Sequence, residues 1–248
     1  MTRARVVTYG FSERSMVRAH SETLGEIGSK VKIDYPPGTV EFRMPLLGRF
    51  NVLNILAAFS SAWVLGLDMD RVVKSIEDFC GVPGRMEFVK AGEGVRAVVD
   101  YAHTEDALKN VLETLRPLTR GRLICVFGCG GNRDTTKRAR MGEVSGRVSD
   151  HVILTSDNPR REDPEAILND IEEGIKKTGV SYERIVDRRS AIRRSLSLAE
   201  KGDLVLVAGK GHEKFQEIGM SRLPFDDVAV IKEAASLGEA SHRKAVCI

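Results

Sequence analysis

Hydrophobic and polar positions follow two different patterns along this chain. In the first part, short alternating runs at Arg5–Thr8, Val31–Ile33 and Val40–Met44 are separated by turn material around Pro36-Pro37-Gly38, which predicts irregular β structure. From Phe50 to Leu67 apolar residues recur at helical spacing about a pair of alanines. A second helix is predicted over Asp70–Phe79, with Asp68 or Asp70 near its start. Gly81-Val82-Pro83-Gly84 then ends the helical pattern, and the domain boundary is placed there, dividing the chain into 1–84 and 85–248.

Beyond that boundary the pattern becomes regular. Continuous β-branched runs at Ala97–Val99, Leu123–Phe127, Val152–Leu154, Ile185–Val186 and Leu204–Ala208 alternate with helical segments starting near Thr104, Lys137, Pro164, Arg189 and Asp226. Thr104 precedes two acids and Asp163 precedes a proline, both good helix starts. Apolar strands alternating with helices predict an α/β fold, a Rossmann-like parallel sheet covered on both faces.

Composition narrows the function classes. Hydrophobic residues at 42% and charged residues at 29% fit a globular protein, and a net charge of +3 gives no electrostatic reason to invoke nucleic acid. No apolar run has the ~20 residues of a membrane span. The start has no signal-peptide core, and four cysteines do not make a disulfide framework, so a cytoplasmic chain is expected. Cys125 and Cys129 have a spacing open to a metal. They lack a second Cys/His pair, and Cys125 lies in the run LICVF, which favours buried thiols and no metal site.

In an open parallel sheet, ligands bind beyond the carboxyl ends of the strands. The polar and Gly-rich clusters fall there: Asp100-Tyr101-Ala102-His103, Gly128–Asp134, Ser156–Arg160 and Gly209–Glu213. Singly, each has a plain reading as a turn, a local hydrogen bond or a surface charge. The glycine run after Phe127 is not a dinucleotide fingerprint, because Arg133 stands where the third glycine belongs. Together, Arg133, Arg160 and Glu213 offer two guanidinium forks and a carboxylate on one rim, a set suited to an amino acid.

The strings GRFNVLNILAA, GVPGRME, DYAHTEDAL, FGCGGNRD, TSDNPRREDPEAI and VAGKGHE resemble the Mur ligases of peptidoglycan synthesis, in order and spacing, from about Tyr9 to about Ala235. Within that family they are most similar to the branch that adds meso-diaminopimelate. The resemblance implies a C-terminal amino-acid-binding domain preceded by the C-terminal part of a central ATPase domain. It implies an ATP- and Mg²⁺-dependent acid–amino-acid ligase: the carboxylate of UDP-MurNAc-L-Ala-D-Glu is phosphorylated, the amine of diaminopimelate attacks the acyl phosphate, and phosphate leaves. By the same resemblance Arg133, Asp157, Asn158, Pro159, Arg160, Gly209 and Glu213 bind meso-diaminopimelate. Asn51, Asn54, Arg85, Asp100 and His103 lie near the nucleotide.

Lysine and diaminopimelate differ by one distal carboxylate; a guanidinium left unpaired by lysine would reject it by roughly 10⁴-fold. The chain departs from the family's usual residues at Glu105, Asn132 and Ala139. Asn132 replaces an acid beside Arg133, which could change that arginine's orientation. No G-x-x-x-x-G-K-[ST] loop occurs in the 248 residues, so the chain is expected to be catalytically incomplete alone. Two other classes stay open. One is a non-enzymatic diaminopimelate-binding module, or half of a split ligase whose partner carries the P-loop. The other is a sister ligase of the lysine-adding or folylpolyglutamate type.

Overall fold

A computed structural model describes residues 4, 6–23, 28–92 and 94–245. The chain forms two compact units, Met1–Gly81 and Val82–Ile248.

In the first unit, β1 (Tyr9–Gly10), β2 (Val17–Thr23), β3 (Ser29–Tyr35) and β4 (Gly38–Met44) form one sheet in that order. β1 runs parallel to β2, and the other pairs are antiparallel. Where irregular structure was expected, β2, β3 and β4 form a regular meander. The alternation explains it: Val31 and Ile33 are buried while Lys32 between them is exposed, so one face can pack. Of the run Arg5–Thr8, Arg5 lies outside the described residues and Val6–Thr8 joins no strand.

Helix α1 (Arg49–Val64) lays Val52, Ile55, Leu56 and Phe59 on the sheet's apolar face. The Phe59 ring meets Tyr35 edge-on at 5.1 Å. Helix α2 (Met69–Glu77) follows. Its cap is Asp68, which accepts from the backbone N–H groups of Asp70 and Arg71.

The second unit is built on a six-stranded sheet. In chain order its strands are β5 (Glu87–Lys90), β6 (Arg96–Asp100), β7 (Leu123–Phe127), β8 (His151–Leu154), β9 (Ser181–Arg184) and β10 (Leu204–Ala208). Their order across the sheet is β5-β6-β10-β7-β8-β9. Only β5 is antiparallel to its neighbour. Every residue of β7 and β10 is buried, as expected for central strands covered on both faces.

Helices α3 (Glu105–Leu115), α4 (Lys137–Val148) and α5 (Pro164–Ile175) pack side by side, and α6 (Arg188–Leu198) packs on α7 (Asp227–Ala245). A two-stranded hairpin, β11 (Phe215–Ile218) with β12 (Ser221–Pro224), links β10 to α7. The caps are those the sequence implies: Thr104 accepts from Ala107 N, and Asp163 from Glu165 N.

One strand is misplaced by the sequence pattern. The expected strand Ile185–Val186 is instead Ser181–Arg184, with Ile185 N still donating to Leu154 O just past its end. This is an edge strand with one neighbour, and Ser-Tyr-Glu-Arg never needs a continuous apolar run. Because β6, β7, β8 and β10 all run parallel, with β10 between β6 and β7, the loops after them share one edge of the sheet. No helix among the described residues is long and apolar enough to cross a membrane.

Candidate functional site

The loops after β7 and β8 meet through backbone. Gly131 N donates to Asn158 O at 2.9 Å. A Cβ on Gly128 would stand 1.9 Å from Thr155 O, and one on Gly131 would stand 2.0 Å from Pro159 O. The glycines are therefore spacing residues that let two loops touch. A Cβ on Gly130 would lie 3.0 Å from Arg160 Nη1 and 3.7 Å from Arg133 Cγ, so these two arginines flank one glycine.

Asn158 is the hub of the crevice. Its buried amide Nδ2 donates to Glu213 Oε2 at 2.9 Å, and its Oδ1 accepts from Lys210 Nζ at 2.9 Å and Glu217 N at 3.0 Å. Lys210 is fully buried and also donates to Glu213 Oε2 at 3.1 Å. Burial pushes the Glu213 carboxyl up, but the bonds from Asn158 and Lys210 outweigh it and hold the group below its ordinary value; the Arg160 charge adds to this. Glu213 is therefore an anion at neutral pH. Asp157 is raised by burial, against the pull of Arg188 and Lys210. A Cβ on Gly209, whose φ is +115°, would lie 2.5 Å from Asp157 Oδ2, so that position tolerates only glycine.

Arg160 adopts φ +53°, in the left-handed region. Its backbone is held by the hairpin: Arg160 N donates to Glu217 O at 3.0 Å, and Gly219 N donates to Arg160 O at 2.6 Å. Asn132, also left-handed at φ +53°, accepts from Arg161 N on its Oδ1 at 3.1 Å, and its own N–H bonds Glu162. The expected change in charge beside Arg133 thus comes with a structural role for the amide. Arg133 itself is exposed.

The residues expected near a nucleotide fall in two places. Arg85, Asp100 and His103 gather around Tyr101 in the second unit. The Arg85 guanidinium lies 4.5 Å over the Tyr101 ring, and the Tyr101 ring meets His103 at 4.7 Å and His212 at 5.3 Å. The Asp100 carboxyl is raised by burial, against Met86 N and Ala102 N, each donating to it at 2.8 Å. Gly84 packs on Gly211 so closely that a Cβ would lie 2.1 Å from His212 N. Asn51 and Asn54 belong to the first unit: Asn51 Nδ2 donates to Leu47 O at 2.8 Å, and Asn54 Nδ2 to Asn51 Oδ1 at 3.4 Å.

Sequence reasoning missed the supports of this site. Arg188 and Asp227, both fully buried, form a two-bond pair at 2.8 Å, and Arg188 Nη2 also donates to Ala208 O at 3.0 Å. Gln216 Nε2 donates to Asp157 O at 2.8 Å. The available signal for the hairpin was Gly219, which takes φ +60° in the two-residue turn between β11 and β12. Burial pushes the Cys125 and Cys129 thiols up to about 12, as inert core thiols. No group of three or more His, Cys, Asp or Glu among the described residues could hold a metal ion.

Comparison with known proteins runs through these same segments. The chain is 46% identical over 233 residues to a UDP-N-acetylmuramoyl-L-alanyl-D-glutamate–2,6-diaminopimelate ligase of Gloeobacter violaceus, covering 94% of this chain and 47% of that protein. The ligase of that name from Bacillus velezensis is 44% identical, with the same coverage of both chains. A solved structure of a ligase so named superposes with a TM-score of 0.64 at 39% identity, covering 94% of this chain and 48% of that one. A UDP-N-acetylmuramate–alanine ligase from Thermotoga maritima, 18% identical, shares the fold at a TM-score of 0.68, over 95% of this chain and 48% of its own. The chain spans about half the length of the curated relatives it matches. The Mur ligase middle domain matches residues 1–62. The Mur ligase glutamate ligase domain matches residues 84–211, more than half of the chain and every loop of the crevice up to Gly211, and the chain therefore belongs to the Mur ligase family.

Proposed function

We propose that this chain supplies the amino-acid-binding part of an ATP-dependent ligase that adds meso-diaminopimelate to UDP-MurNAc-L-Ala-D-Glu. Residues 85–248 act as the amino-acid-binding domain and residues 1–84 as the C-terminal part of the central domain. One observation carries the reading: Asn158 ties the anionic Glu213 into the same turn that presents the Arg160 guanidinium. An ammonium and a carboxylate on one ligand end match that pair by charge. Arg133, across Gly130, offers a second fork, and buried Asp157, Pro159 and Gly209 shape the floor.

ATP, when bound, would supply the phosphoryl group that activates the acid. Arg85, exposed and stacked on Tyr101, offers a cation and a flat face suited to a nucleotide, with Asp100 and His103 beside it. A Mg²⁺ site does not fit the described residues, since no three candidate ligands gather and both Asp100 oxygens already accept backbone bonds. The part played by these residues is to bind and orient the incoming amine. Calorimetry of the full chain with meso-diaminopimelate tests the reading. Arg160→Ala should weaken binding at least tenfold, the loss of one charge-assisted contact worth about 1.5–3 kcal/mol. Unchanged binding would overturn it.

A further inference from the structure

Arg160 already holds a carboxylate. Its Nε lies 2.8 Å from Glu217 Oε2, and its Nη1 donates to Gly131 O at 2.9 Å. Both members of the ion pair are part-exposed, at 26% and 35%. The remaining donors of the guanidinium are on its Nη1 and Nη2 end, which is the end left for a ligand carboxylate.

We propose that Glu217 is a specificity-determining residue: a resident counter-carboxylate that weakens the hold of Arg160 on a second carboxylate and so narrows the preference for a diamino dicarboxylic acid over a diamino monocarboxylic acid. The inference rests on the diaminopimelate reading of the site. Two carboxylates on different edges of one guanidinium repel each other. In part-wetted surroundings, at a separation on the order of 6 Å, that repulsion costs about threefold to tenfold in affinity. Lysine brings no distal carboxylate and escapes this cost. Removing the charge of Glu217 should therefore act on one ligand and spare the other.

The surroundings favour that sign. Glu217 lines an open pocket of about 470 Å³ together with Arg160, Arg161 and Arg222. Arg222 is stacked 3.3 Å over the Phe215 ring, and Arg161 Nη2 is 3.1 Å from Met220 Sδ, so both cations are held without an acidic partner among the described residues. With Glu217 neutral, the charged lining of this pocket is three arginines. The Arg160 backbone does not depend on the Glu217 side chain, because the hairpin holds it through Glu217 O and Gly219 N. Glu217→Gln keeps the size of the side chain and an oxygen acceptor.

NMR titration of the full chain, which reaches millimolar affinities, tests this with meso-diaminopimelate and L-lysine as the two probes. Glu217→Gln should tighten diaminopimelate threefold to tenfold and leave lysine unchanged or weaker. In an Arg160→Ala background the same substitution should have no effect on either probe. If Glu217→Gln weakens diaminopimelate or leaves the ratio unmoved while Arg160→Ala still lowers it, Glu217 does not set selectivity and the proposal is overturned alone. If Arg160→Ala leaves diaminopimelate binding intact, the reading of the site falls and this proposal with it.

Discussion

Removing Asp227 should show how much the crevice depends on a charge pair sealed from solvent beneath it. Arg188 and Asp227 are both fully buried and share two hydrogen bonds of 2.8 Å. Arg188 also bonds Ala208 O, at the end of β10 where the Gly209–Glu213 loop begins, and reaches Ser156 O at 3.5 Å, beside Asp157. Burial lowers the arginine's hold on its proton, but Asp227 outweighs it and raises the group further. A guanidinium does not discharge at any ordinary pH. Asp227→Asn therefore strands a buried cation, which costs about 3–5 kcal/mol.

Hydrogen exchange at the β7 and β10 amides reports on this unit directly. A loss of that size should speed exchange there by roughly 10²- to 10³·⁵-fold where exchange follows global opening. The double variant Arg188→Met with Asp227→Leu removes both charges and fills the space, so it should be more stable than Asp227→Asn. If Asp227→Asn costs less than about 1 kcal/mol, or if the double variant is worse than the single, the pair is not what supports these loops.

Two further outcomes follow from the same geometry. Gly131→Ala puts a Cβ 2.0 Å from the Pro159 carbonyl, so a backbone must move; a cost of about 1–3 kcal/mol in thermal unfolding, with a larger loss of diaminopimelate binding, is expected, and a variant that binds normally would contradict the spacing role. Lys210→Met removes one of the two donors that hold Glu213 below its ordinary 4.5. A depressed carboxyl stabilises the fold above its unfolded value and loses that contribution as pH falls through the folded value, so the variant should lose it at a higher pH; an unshifted Glu213 side-chain titration by NMR would refute this.

What could be read from the chain follows from how local each cause is. β7 and β10 are legible because burial on both faces demands an uninterrupted run such as LICVF or LVLVA. Caps at Thr104 and Asp163 are legible because cap and helix are adjacent. Strand β9 and the β11–β12 hairpin escaped because edge positions and exposed ribbons set no hydrophobic requirement. Arg188 sits in a polar helix start, RRSAIRR, and only its partner 39 residues away explains its burial. Lys210 is likewise explained by Asn158, 52 residues earlier.

Arg160 shows how a partner within the fold changes the magnitude expected of a residue. Rejection of lysine by roughly 10⁴-fold needs a guanidinium with no other partner. Here the group keeps Glu217 at 2.8 Å and Gly131 O at 2.9 Å, and a quarter of its surface meets water. On the proposed reading, lysine in the site would orphan nothing; it would merely fail to gain one charge-assisted contact. That loss, about 1.5–3 kcal/mol, corresponds to roughly ten- to a hundredfold. Any greater selectivity must come from groups that make the Arg160 charge dependent on the ligand, and the closest of these is a hairpin carboxylate acting in the opposite direction. If the proposed site holds, selectivity in this crevice is a property of β11 as much as of the Asp157–Arg160 turn, because Glu217 and Arg160 share one ion pair.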